Sequence, residues 1–481
     1  MLATSVARAA GVGAVSTVLG LLMALALGDA SRRWRGLVLF AMLFPVFLPT
    51  YITTMVWIGL LGRGGLLGQL PLLDRFTVFS WCGCLWVFVL CYWPYAGLLA
   101  CAARGAIPRA EIEAALVMGG RRAAMRGVIV RRVLPSADAG GLLAFALSLA
   151  DFDIPALLIQ RSYSAEIFYK LEASYDTAAA AWMLAPLMGV ILMAAAVVFI
   201  ILRRQGLGLF RTMTAVDVPL RGVSTVRASR PLIAFSVFVL FLSAGAPLLS
   251  LVVLAWPPGN VALAVQVAGS QWWNSSVASV LAATVSVVLG IGILSVLLYR
   301  RVGYRRAVAA VVGVAALFAF VIPGSVLGLG LTEALASSTW LAFLYDGMGM
   351  LVIAYLIRFF IFLWLPASMA ARRLADSSGF EAARLAPGGR LRLMHRILLP
   401  LMVLPLAVGW LLVCCLSLGE LAATIIVAPP GCDTLGMKIF DLLHFGHRGV
   451  VAGLCGMAAL LVACLSFAAT QWMQRYEISR G

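Results

Sequence analysis

Charge is what this sequence has least of. Only 11% of its 481 residues are charged and 63% are hydrophobic, against roughly 25% charged in an ordinary soluble domain. No polar stretch is long enough to fold as a soluble domain between the apolar runs. Lysine occurs twice, as Lys170 (Tyr-Lys-Leu) and Lys438 (Met-Lys-Ile). Neither lies in a Gly-x4-Gly-Lys-Ser/Thr loop, which excludes P-loop nucleotide binding by this chain. The three histidines, His395, His444 and His447, are too few and too scattered for a catalytic constellation. His444 and His447 could share a helix face, but an exposed polar turn is the simpler reading. Nine cysteines form no Cys-x-x-Cys pair, so zinc and thioredoxin-like sites have no support. Buried thiols of this kind pack as small hydrophobes.

What is present is a series of apolar runs long enough to cross a bilayer, each needing about 20 helical residues. Eleven qualify, near 11–29, 36–61, 77–101, 136–160, 178–202, 231–255, 275–298, 307–330, 346–367, 402–427 and 449–472. The first lacks a basic leader beyond Arg8, which argues against a cleavable signal peptide. The fourth and tenth contain or adjoin acids and prolines, so part of each is expected to be broken or re-entrant, as is tolerated where protein or a cavity surrounds the backbone.

The net charge of +17 follows topology rather than a nucleic-acid surface. With 103–135 and 368–400 taken as cytoplasmic, alternation puts 30–35, 203–230, 299–306 and the C-terminus on the same side. These segments hold 28 of the 36 basic residues, the opposite side holds seven, and Arg358 lies within a span. Cytoplasmic loops carry such an excess. The C-terminus is therefore expected inside, and the N-terminus outside if the first run spans.

The chain also repeats itself. Short arginine-rich turns follow the runs at 11–29 and 275–298. Each leads into a span containing a proline, Pro49 or Pro323, then a further span, then Glu-Ala-Ala at 113–115 and 381–383. Six spans separate the two Glu-Ala-Ala segments, so the repeats share one orientation, unlike inverted-repeat transporters. The expected division is a first module at 1–205, a basic linker at 206–230, and a second module at 231–481. The second has an extra leading span, 231–255, and a polar outside loop ending in Gln271-Trp272-Trp273-Asn274. Eleven spans, or a start upstream of Met1, both fit this inequality.

The two basic loops are alike in detail. One reads Glu113-Ala114-Ala115-Leu116-Val117-Met118-Gly119-Gly120, closing on Val133-Leu134-Pro135. The other reads Glu381-Ala382-Ala383-Arg384-Leu385-Ala386-Pro387-Gly388-Gly389, closing on Ile397-Leu398-Leu399-Pro400. Each describes a short helix, a glycine break and a second helix. Ala keeps one face thin, Gly permits the turn, and Pro opens the next helix without needing a donor.

This pattern resembles the EAA loop of ABC importer permeases, Glu-Ala-Ala-x3-Gly-x9-Ile-x-Leu-Pro. The second loop departs by placing Pro387 at the usual Gly, with Gly388 one later. The first matches Glu113, Ala114, Ala115 and Gly119, then runs three residues long, so its second helix is expected to be rotated or bulged. The resemblance implies an all-α bundle of two type I importer modules with about 11 transmembrane helices. It implies no enzyme activity in this chain, and no cofactor or metal bound by it; ATP and Mg belong to the partner. The implied partners are a homodimeric ABC ATPase gripping Glu113, Ala114, Ala115, Gly119, Glu381, Ala382, Ala383 and Gly388, and a periplasmic binding protein. The implied location is a bacterial inner membrane, with the lipid bilayer as solvent and no nucleic acid.

Ionisable groups within spans are functional candidates because burying them is costly. Asp151 and Asp153 in Ser148-Leu-Ala-Asp-Phe-Asp-Ile-Pro155, Glu420 in Ser417-Leu-Gly-Glu-Leu-Ala-Ala-Thr424, and Arg358 stand out. Each acidic segment follows its loop by about one helix length. Together they would line a translocation path or gate, for a cation among other cargoes. Capping of broken helices, or pairing with Arg358, explains them almost as well. The segments 148–158 and 419–435 look like the fused permeases of ferric-iron importers, with thiamine and aminophosphonate importers as close relatives. The competing classes are an ion-coupled secondary transporter, which would need no ATPase, and a non-transporting membrane scaffold.

Overall fold

The computed structural model describes residues 1–27, 32–62, 65, 77–172, 177–204, 228–298, 302–336, 344, 347–375, 399–445 and 448–478. Among these, every regular element is a helix. A chain in hydrocarbon has no water to satisfy its backbone, and a helix closes those hydrogen bonds internally. The protein is an all-α polytopic membrane protein, with nine described helices long and apolar enough to span. The bent pair Gly36–Phe47 and Thr50–Leu61 passes the same test together, as a broken span or a re-entrant loop. Thr177–Arg204 has the shorter apolar stretch Trp182–Val198.

The first repeat runs α1 (Leu2–Leu27), α2 (Arg32–Phe47), α3 (Thr50–Leu61), α4 (Trp81–Gly105), α5 (Arg109–Arg122), α6 (Arg131–Ala150), α7 (Asp153–Leu157), α8 (Tyr163–Glu172) and α9 (Thr177–Arg204). The extra leading span is α10 (Arg230–Leu254), followed by a short helix α11 (Gly259–Val267). The second repeat continues with α12 (Gly269–Leu298), α13 (Val302–Val321), α14 (Gly324–Ala336), α15 (Gly349–Ala375), α16 (Leu399–Leu418), α17 (Thr424–Val427), α18 (Leu435–Phe445) and α19 (Arg448–Ile478). The segment Gln271–Asn274, expected as a loop, lies in the first turns of α12. Asn274 there donates to the carbonyls of Gly431 and Asp433, which ties the helix start to the second repeat.

The repetition in sequence reappears in packing. Helices α1, α4 and α6 pack on one another, and so do α12, α15 and α16. Small residues make both triads possible, because lipid offers no hydrophobic drive and helices gain by close approach. A Cβ on Gly20 would stand 2.6 Å from the Ala96 backbone. In the second triad Cβ atoms on Gly409 and Gly290 would stand 2.8 and 2.9 Å from Leu363.

The hydrophobic cores do not divide at the linker. One joins α2, α3 and α4 to α10, α11, α18 and α19, and the other joins α6 and α9 to α12–α16. Helix α2 packs on α19, and α13 packs on α6 and α9. The two repeats therefore hold each other, and the interface between them runs through the middle of the molecule.

Four of the eleven runs are broken. The fourth and tenth break as expected: α6 ends at Ala150 and resumes as α7, and α16 ends at Leu418 and resumes as α17. The second and eighth break as well. Helices α2 and α3 meet at 98° about Leu48-Pro49, and α13 gives way to α14 about Ile322-Pro323.

Candidate functional site

The breaks converge. A cavity of about 120 Å³ lies where they meet, lined by Pro49, Thr50, Asp151 and Asp153 from the first repeat and by Arg358 and Glu420 from the second. All four ionisable groups singled out in the sequence thus share one site. Gly419 is pressed against the Pro49 ring across the repeat interface, so the bend at Pro49 helps to shape the wall.

Hydrogen bonding separates their roles. Asp151 uses one oxygen, Oδ1, to accept from the backbone N–H of Asp153 (2.8 Å) and Ile154 (3.3 Å). Its Oδ2 accepts from the Tyr92 hydroxyl at 2.6 Å. Asp151 therefore caps the amides that begin α7, the usual use of Asp at a helix start. Glu420 does the same in the second repeat, its Oε1 accepting from Ala423 N–H at 2.8 Å at the start of α17. Thr424 gives its one hydroxyl proton to the Glu420 carbonyl, so Tyr355, 2.9 Å from that hydroxyl, is the donor to Thr424.

Glu420 also forms an ion pair within its repeat: Arg358 Nε stands 3.2 Å from its Oε2. Glu420 is 7% exposed, and two opposite charges so buried are tolerable mainly because they lie together. The capping and pairing explanations therefore account for Asp151 and Glu420.

Asp153 is different. It is 8% exposed; Oδ2 accepts from the Thr50 hydroxyl at 3.0 Å, while Oδ1 is buried and has no hydrogen-bond partner. Nη1 of Arg358 is likewise buried and without one. Unsatisfied buried polar groups are uncommon and call for an explanation. Here two of opposite charge lie on opposite sides of the repeat interface, in one cavity. Among the described residues, no group of three or more His, Cys, Asp or Glu could hold a metal ion, so the three acids do not form a ligand cage.

Toward the arginine-rich end lies a second cavity of about 150 Å³. It shares Val46, Phe47, Tyr95 and Phe320 with the first and is otherwise almost wholly apolar. Tyr95 of the first repeat and Phe320 of the second lie 6.4 Å apart between ring centroids, and Phe320 meets Phe362 edge-on at 5.0 Å. An aromatic layer from both repeats thus borders the two chambers. Sequence reasoning passed over it because aromatic residues in apolar spans carry no periodic mark.

The Glu-Ala-Ala segment at 113–115 lies on α5. Glu113 and Ala114 are exposed and Ala115 is half-buried. Val117 and Met118 are each 88% exposed, although α5 is otherwise a polar helix. The turn falls on Gly120, whose φ is 67°, in the left-handed region suited to glycine. Gly119, the motif position, is helical, and a Cβ there would stand 2.6 Å from that of Ala123. The longer connection after Gly120 contains a π-helical stretch, Ala123–Val130, a form that is rare in helices. An ion pair that the sequence reading missed crosses this turn: Arg132 Nη2 lies 2.9 and 3.0 Å from the two carboxylate oxygens of Glu111. The second loop's Glu381, Ala382, Ala383 and Gly388 lie outside the described residues, as does most of the linker at 206–230.

Compared with models of known protein families, the chain matches none, and no curated protein is similar to it.

Proposed function

We propose that this chain is the fused permease subunit of an ATP-driven importer, taking its cargo from a periplasmic binding protein and passing it between the repeats by alternating access. The observation that carries the reading is the pair of Glu-Ala-Ala loops, at 113–135 and 381–400, placed alike in two repeats of one orientation. The form of α5 supports it. A polar helix presenting Glu113 with Val117 and Met118 almost fully exposed is suited to enter a cleft in another protein. The motor is a separate homodimeric ABC ATPase holding ATP and Mg. The chain lies in a bacterial inner membrane with its arginine-rich end and C-terminus in the cytoplasm. The cavity at Asp153 and Arg358 belongs to the translocation path, and the aromatic layer at Tyr95 and Phe320 to its gate.

Ferric iron is the first cargo to test, with thiamine and aminophosphonates next. Uptake of each labelled solute is measured in cells with and without the gene, before and after ATP depletion. Loss of ferric-iron uptake in both conditions supports the leading cargo, and loss of thiamine uptake alone exchanges the cargo and keeps the mechanism. Uptake that needs the gene yet survives ATP depletion points to an ion-coupled carrier and overturns the reading. Charge reversal at Glu381 (Glu381→Lys) is expected to abolish uptake while membrane insertion stays normal; unchanged uptake in that variant would sink the assignment.

A further inference from the structure

Helix α5 is held to the bundle in an unusual way. Its main packing partner is the adjoining π-helical stretch, and only Ile112 of its apolar residues is fully buried. The chain leaves it through Gly120, whose backbone is left-handed and open, with nothing within 4 Å of where a Cβ would stand. The helix is therefore kinked at this joint, with α5 on one side and the π-helical stretch on the other. The Glu111–Arg132 pair spans the joint, from the first turn of α5 to the first turn of α6.

We infer that this pair is a brace that fixes the angle of α5 on α6, making Glu111 and Arg132 positioning residues for coupling. The inference rests on the reading of α5 as the helix that meets the ATPase. The side chains of Arg132 and Glu111 are 59% and 34% exposed, so the pair adds little to folding; what it sets is direction. Beyond it, α6 runs unbroken from Arg131 to Ala150 and ends at Asp151, which caps α7 and holds Tyr92. At 1.5 Å per residue that is about 30 Å of helix, a rigid lever from the brace to the cavity wall. A push on a braced α5 moves the foot of α6, whereas a push on a loose one is lost at Gly120.

In the sequence this particular pair has no counterpart at the equivalent positions of the second loop. Counting from each Glu-Ala-Ala and each Leu-Pro, the positions of Glu111 and Arg132 correspond to Gly379 and Ile397 in the second loop. Those residues cannot form an ion pair. The brace accompanies the loop that carries three extra residues, where the longer connection would otherwise leave α5 slack.

The test uses the full chain with Cys82, Cys432 and Cys464 replaced by serine. Spin labels are placed at Met118→Cys on α5 and Trp34→Cys on α2, and their separation is measured by pulsed electron paramagnetic resonance. A narrow distance distribution is expected for the parent, a broad one for Glu111→Gln and for Arg132→Gln, and a narrow one again for the swap Glu111→Arg with Arg132→Glu. Distributions that stay narrow in both single variants overturn the brace. In membranes that also carry the ATPase, uptake per ATP hydrolysed is expected to fall about fivefold in the single variants, the scale on which one exposed ion pair biases an orientation, and to recover in the swap. Normal uptake per ATP despite a broad distribution overturns the positioning role. If the parent chain engages no ATPase, the importer reading fails and the coupling role with it, while the distance measurement still decides the brace.

Discussion

The two breaks that face each other across the cavity are built to one plan and finished differently. In the first repeat the plan needs a cap for α7, and Asp151 supplies it through two amides and Tyr92. In the second, Glu420 caps α17 and also neutralises Arg358. The first repeat then carries one carboxylate more than the architecture uses, Asp153, with an oxygen left unpartnered. The second carries a guanidinium whose Nη1 is equally unpartnered. What repeats is the structural part of the site, and what differs is the part with spare bonding capacity. Comparing the halves thus separates groups that hold the fold from groups with bonding capacity left over.

Three substitutions sharpen that separation. The largest effect is expected for Arg358→Ala, which strands the buried Glu420 carboxylate and is expected to cost about 3 kcal/mol. Chemical unfolding in detergent should show it, with most of the loss recovered when Glu420→Gln is added. A midpoint equal to the parent's would mean that the pair does not hold the second break together. Next comes Asp151→Ala, which leaves two amides and the Tyr92 hydroxyl without their acceptor, a loss of about 2 kcal/mol. Asp151→Asn keeps an acceptor and should lose clearly less. The smallest effect on folding is expected for Asp153→Asn, about 1 kcal/mol or less, because Thr50 keeps an oxygen to donate to and the other position has no hydrogen bond to lose. If Asp153 lines the path, that same variant lowers uptake while its unfolding shifts by no more than that. An unfolding loss as large as that of Asp151→Ala would place Asp153 with the structural groups instead.

Most of the architecture was legible because the bilayer imposes it. Eleven apolar runs, the arginine bias and the repeat all follow from composition along the chain, and the breaks after Ala150 and Leu418 were foreshadowed by acids at membrane depth. The breaks at Pro49 and Pro323 were not. Proline alone does not announce a break here, since Pro45, Pro94, Pro135, Pro186, Pro366 and Pro405 all lie inside continuous helices. What distinguishes Pro49 is its contact with Gly419, a partner 370 residues away in sequence, which no local pattern contains. The same holds for the site. Which residues were ionisable was plain, but which of their oxygens were already used depends on Tyr92, Thr50 and the amides of α7. The Glu111–Arg132 pair escaped notice for a related reason. Its two ends are ordinary members of a basic loop until the Gly120 turn and the π-helical stretch bring them together.

The dependence of α2 on α19 has a consequence for how the protein is made. Helix α2 leaves the ribosome about 400 residues ahead of α19, against which it packs. Until α19 is made, the face of α2 that packs on it lacks that neighbour. A truncation before Arg448, which leaves that face of α2 bare, is expected to accumulate to a lower level in the membrane than the full chain, as an immunoblot would show.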